Sequence, residues 1–75
     1  MNDIALWPNP ADNQIHIITD EIIDLIEILN PNGDCLLSVP ETTTVDSSSL
    51  KNGRYTLRVK TARRVTIMKK IMVKH

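Results

Sequence analysis

Between Arg54 and Lys60 polar and apolar residues alternate without a break: Arg54, Thr56, Arg58 and Lys60 on one parity, Tyr55, Leu57 and Val59 on the other. Successive side chains of an extended chain point to opposite faces, so this stretch buries a clean apolar face only as a β-strand. Asn52-Gly53 stands immediately before it and tolerates the positive φ of a tight turn. A chain committed to one strand must find partners for that strand's backbone, which directs the search to the flanking segments.

They supply candidates. Gln14–Ile18 alternates around Ile15, His16 and Ile17. Asp20–Leu29 reads two ways: Ile22, Ile26 and Leu29 fit a helical stripe behind an Asp20 cap, whereas Asp24, Ile26 and Ile28 alternate with Leu25, Glu27 and Leu29 as a strand. Its four isoleucines favour the strand, because a branched Cβ stiffens χ1 and suits a pleated surface. Pro31 and Asn32-Gly33 stop it with a hairpin turn, Cys35–Val39 returns as the partner and Pro40 ends it. Thr43–Asp46 is a short β-branched run. The serines 47–49 and Leu50 then lead into the second Asn-Gly corner, with Leu50 as an apolar plug. Val65–Val73 forms the last strand, where Lys69-Lys70 interrupts the apolar parity, as a bulge or an edge strand would allow. Short strands with turn signals every eight to twelve residues predict an all-β fold: a small immunoglobulin-like antiparallel sandwich of about seven strands.

Seventy-five residues make one domain with a thin core, since a chain of this size buries only about 60% of its unfolded surface. Trp7 and Tyr55 are the only aromatics, so the core is aliphatic. Trp7 is expected to cover an edge of that core, while Pro8 and Pro10 stiffen an extended lead-in. One cysteine permits neither an intrachain disulfide nor a zinc cluster, and Cys35 reads as a small buried apolar residue within its strand. His16 has no second ligand at metal spacing, and serines 47–49 have no companion base. The sequence therefore points to no catalytic residue, metal or cofactor. No signal peptide opens the chain. An exported protein would carry its signal upstream of this fragment, and Met1 is then expected to be a reading-frame artefact.

Charge is segregated. Residues 1–50 hold all nine acids and residues 51–75 all nine bases, −9 against +9. Either basic late strands lie against acidic early ones, across the sheets or at their rims, or the basic end is an address for an acidic partner. Nucleic acid is the weakest partner, because the basic segment has one aromatic and neither a glycine-rich loop nor a recognition helix.

Leu50 to Val59 resembles the tyrosine corner of immunoglobulin-like and fibronectin-like sandwiches, in which a phenol oxygen bonds backbone a few residues upstream. For Tyr55 that backbone is expected near Leu50. Four elements in order carry a broader likeness. They are Pro8-Asn9-Pro10, Asn32-Gly33 with Leu36 after Ile26-Glu27-Ile28, Val45-Asp46 with Leu50 and Gly53-Arg54-Tyr55, and the basic end Lys69-Lys70-Ile71-Met72-Val73-Lys74. Together they resemble the C-terminal sorting domain of proteins exported by the type IX (Por) secretion system of Bacteroidetes, over about residues 6 to 74. The chain departs from that pattern at Trp7, at Leu29-Asn30-Pro31, at Ser47 where an apolar residue is frequent, and at Lys51 where proline often follows the leucine.

The resemblance implies a passive address at the end of a larger secreted protein. The cargo precedes it in the same chain, the outer-membrane translocon recognises it, and a sortase-like protease usually removes it. The cargo is then attached to the cell surface or released. Recognition is expected to involve Pro8, Asn9, Pro10, Asn32, Gly33, Gly53, Lys69, Lys70, Ile71, Val73 and Lys74, with Trp7, Leu50 and Tyr55 structural. The final strand, Val65 to Lys74, is expected to be read through an unpaired edge by strand addition, and such an edge also admits a dimer of isolated domains. The alternative function is a generic immunoglobulin-like adhesion or carbohydrate-binding module.

Overall fold

A computed structural model describes residues 4–75; Met1, and the expectation attached to it, lies outside the described residues. Seven strands and no helix are found among them: β1 Ala5–Trp7, β2 Gln14–Ile18, β3 Ile23–Leu29, β4 Cys35–Pro40, β5 Thr44–Asp46, β6 Gly53–Thr61 and β7 Thr66–Val73. They form a three-stranded sheet, β1-β2-β5, and a four-stranded sheet, β4-β3-β6-β7. All strand pairs within the sheets are antiparallel.

The alternation read from the sequence explains the core. Ile15, Ile17 and Val45 of one sheet meet Ile26, Ile28, Leu57, Val59, Ile71 and Val73 of the other, and Leu50 is buried among them. The strand reading is the correct one for Ile23–Leu29, which lies between two partners with Ile23, Ile26 and Ile28 buried, while Ile22 stands before the strand and is exposed. Asn32 and Gly33 form the β3–β4 turn. Gly33 has φ +91° and open space where a Cβ would stand, so backbone conformation and not crowding calls for glycine there. The peptide bonds before Pro8 and Pro10 are both cis.

Several expectations need correction. Trp7 is 62% exposed. It pairs in register with His16 on the outer face of its sheet and stacks on that ring at 5.6 Å, while its neighbour Leu6 packs on the core. Cys35 is exposed. The cause is a bulge: Ile28 faces Leu37 but Leu29 faces Cys35, so Leu36 is an extra residue that turns Cys35 to the outer face. Its Sγ there lies 3.7 Å from Glu27 Oε2 and 3.3 Å from the Leu37 carbonyl.

β7 is an edge strand, but Lys69-Lys70 makes no bulge, and its register with β6 is continuous from Thr66 to Val73. Parity is kept, with Lys69 half-buried in phase with Ile67, Ile71 and Val73, and Lys70 exposed on the outer face. A lysine can hold an inward position at a sheet border because its long stem lies along apolar surface.

Candidate functional site

The motif elements meet at one end of the four-stranded sheet. The chain between β1 and β2 crosses to β7, where the Ala11 amide donates to the Met72 carbonyl at 2.8 Å and the Lys74 amide donates to the Ala11 carbonyl at 2.8 Å. The Met72 amide donates to Asn9 Oδ1 at 3.2 Å. Ala11 and Val73 thereby form a short parallel bridge that ties the two sheets together, and both are buried. This overturns the expectation of a wholly open β7 edge. Its last third is already occupied by Asn9–Ala11, because Val73 must be held over the core.

The tyrosine corner is present. Tyr55 is half-buried and packs on the core, and its hydroxyl donates to the Lys51 carbonyl at 2.6 Å, one residue beyond Leu50. Gly53 opens β6 beneath the Tyr55 ring. Ser47, where an apolar residue was noted as frequent, is fully buried without an unpaired group: its hydroxyl donates to the Asp12 carbonyl at 3.0 Å and its amide to the Asn13 carbonyl at 2.8 Å.

Beside the corner lies an open groove of about 680 Å³, lined by Asn9, Pro10, Pro31, Arg54, Tyr55, Thr56, Lys70, Ile71 and Met72. It gathers residues from three of the four sequence elements, with Pro31 standing next to the Asn32-Gly33 pair. Pro8 does not join it and lies in a separate depression with Trp7, Asp12, His16 and Asp46. Val73 and Leu50 belong to the core, and Lys69 is in the inward phase of β7. Sequence reasoning passed over Arg54 and Pro31 as site residues. Arg54 was one polar position among four on an alternating strand, and only the cross-strand register singles it out.

The segregated charges are reconciled mainly side by side within one sheet and at a rim, not across the two sheets. Glu27 on β3 accepts from Arg58 Nε at 2.9 Å and lies 3.6 Å from Lys60 Nζ, both on neighbouring β6. The Arg58 hydrogen bond is the main reason the Glu27 carboxyl is held below the usual carboxylate range, and burial partly opposes it. Arg63 Nε meets Glu21 Oε1 at 2.9 Å between loops.

His75, which no sequence motif singles out, clasps two loops. Its Nδ1 lies 2.8 Å from Asp12 Oδ1, its Nε2 lies 2.7 Å from the Leu50 carbonyl, and its amide donates to Asn52 Oδ1 at 2.9 Å. Both ring nitrogens face acceptors, so the doubly protonated ring fits best, and the Asp12 bond foremost raises the His75 pKa above its ordinary value.

Among the described residues, no group of three or more His, Cys, Asp or Glu is placed to hold a metal. What the groove offers is a shaped, cationic and partly apolar surface. In comparison with known proteins, a family model described as the secretion system C-terminal sorting domain matches residues 5–74. No curated protein matches the chain.

Proposed function

The chain belongs to the secretion system C-terminal sorting domain family, and from that premise we propose that it is the folded address by which the type IX machinery exports the protein that carries it. Domains of this family mark proteins for export across the outer membrane to the cell surface or medium, and the family is one of sorting signals, not of enzymes. The cargo precedes the domain in the same chain, the translocon engages the folded sandwich, and a sortase-like protease of the system removes it as the cargo is attached or released. The domain itself carries out no chemistry. Its recognition surface includes Asn9, Pro10 and Lys70, with the Asn32-Gly33 turn alongside; Ile71 is buried in the core and supports that surface from beneath.

One observation carries this reading: the matched residues 5–74 are a single folded unit whose two ends are joined at Ala11 and Val73. The test is a reporter fused to residues 1–75 in a bacterium possessing the system. Secretion of the fusion, with periplasmic retention of the reporter lacking the domain, is the expected result; equal secretion of the two removes the proposal. Deleting Met72–His75 would be a poor probe, since it strips Val73 from the core and breaks the bonds to Ala11.

A second reading, carbohydrate binding, draws on the exposure of Trp7. Its ring stacks on His16 beside Gln14 and Asp46, the arrangement of an aromatic platform with polar neighbours. Trp7→Ala should abolish retention on immobilised lipopolysaccharide if that reading holds, and unchanged retention, or none by the parent domain, excludes it.

A further inference from the structure

The outer face of the β6–β7 pair is charged unevenly. β6 presents Arg54, Thr56, Arg58 and Lys60 there, and β7 presents Thr66, Met68, Lys70 and Met72. Glu27 serves Arg58 and Lys60 in mid-sheet. At the groove end, among the described residues, no carboxylate lies within 4 Å of Arg54 or Lys70, and both side chains are exposed. Arg54 faces Met72 and Thr56 faces Lys70 in the register. Arg54 and Lys70 are therefore diagonal neighbours, about 7–8 Å apart on one face. Two like charges so placed repel each other and gain from an anion that spans them.

The surroundings narrow the kind of anion. Pro10 and Pro31 line the groove with rings that carry no amide donor, and Met72 is 37% exposed on its floor. A ligand here must offer apolar surface along with its charge. An extended peptide rises about 3.3 Å per residue, so side chains two apart on one face stand about 7 Å apart, matching the spacing of the two strand positions that carry the cations.

We propose that this groove binds an extended acidic segment, two carboxylates one residue apart flanked on the same face by apolar residues, on the protein component of the export machinery that receives the domain. The assignment rests on the sorting function proposed above and gives it a chemical partner. One carboxylate takes the Arg54 guanidinium and the other the Lys70 ammonium, while the apolar side chains two positions beyond them, on the same face of the extended segment, lie against Pro10, Pro31 and Met72. A lipid phosphate would satisfy the charges but makes no use of the spacing between them.

The experiment uses the whole 75-residue chain and a fluorescent peptide, Val-Ser-Glu-Ser-Glu-Ser-Val, followed by anisotropy, with the same peptide bearing Gln for Glu as reference. The acidic peptide should bind at least about tenfold more tightly than the Gln form, weakening as salt rises. Arg54→Glu with Lys70→Glu should remove that preference, and Arg64→Glu, a single charge reversal in the turn at the other end of β7, should keep it, whereas Arg54→Glu alone should weaken it. Should the double Glu variant lose its fold in thermal melts, Arg54→Gln with Lys70→Gln takes its place under the same expectation. Equal binding of the two peptides overturns the proposal, as does retained preference in the groove variant. So does binding confined to phosphatidylglycerol vesicles, which would transfer the site to lipid. In the secretion assay the groove variant should stay in the periplasm. If removing the entire domain blocks export while the groove variant is exported normally, the groove fails and the sorting function stands. If removing the entire domain changes nothing, the sorting function itself fails, whatever the peptide does.

Discussion

The two halves of β7 run in one register with the same partner strand, yet they are used in opposite ways. From Ile71 onward the strand is closed: Ile71 and Val73 are 2% and 1% exposed, Ala11 and Asn9 hold its outer backbone, and His75 fastens the end to two loops. From Thr66 to Lys70 it is open, with Met68 56% exposed, and among the described residues nothing bonds the outward backbone of Met68 or Lys70. Strand pairing alone therefore does not decide whether an edge is available to a partner. What decides it is whether a distant segment has been spent to cover it, and here the cover lies where the core most needs Val73.

The sharpest way to break this contrast is by truncating side chains. Ile71→Ala should cost about 2–5 kcal/mol in urea unfolding, the usual range for a fully buried isoleucine. Met68→Ala should change stability by less than about 0.5 kcal/mol. Comparable losses would mean that the open half is as integral as the closed one. Single hydrogen bonds come next. Asn9→Ala removes the bond to the Met72 amide and Tyr55→Phe the bond to the Lys51 carbonyl, and each should cost about 1 kcal/mol. No loss from Asn9→Ala would show that Ala11 holds the cover unaided.

A smaller effect follows from pH. His75 has a folded pKa raised above 6.5, so its contribution is complete below the unfolded value and is lost as pH rises through the folded one. The melting temperature should therefore fall between about pH 6 and pH 8, and His75→Gln should flatten that fall; an identical profile in the variant excludes the clasp. Smallest of all, Lys70→Glu should leave stability within about 0.5 kcal/mol of the parent while altering partner binding.

Much of the sandwich was legible because period-two alternation assigns both a strand and its buried face, as with Leu57 and Val59 on β6 and Ile15 and Ile17 on β2. Leu50 and the Tyr55 bond were legible because a tyrosine corner is a local device, its donor and acceptor four residues apart. Cys35 was misread because one inserted residue, Leu36, reverses the parity of everything before it, and a bulge leaves no mark in an apolar run. Trp7 was misread because size suggested a core role, whereas position in β1 placed it opposite His16, facing outward. The groove and the His75 clasp depend on pairs such as Asn9 with Met72 and Asp12 with His75, each 63 residues apart, which no local pattern can announce.

That separation has a consequence in time. Ala11 is among the first residues of the domain to be made, and the backbone groups it needs, on Met72 and Lys74, are among the last. Contacts so far apart in the chain form late and slow folding. A growing chain can assemble its hairpins early, yet the two sheets are not fastened to each other at Ala11 until Val73 is in place. The finished domain thus certifies that translation reached its last strand: a product broken off before Val73 leaves Ala11 uncovered and the junction unmade, and anything that inspects the junction distinguishes whole molecules from fragments.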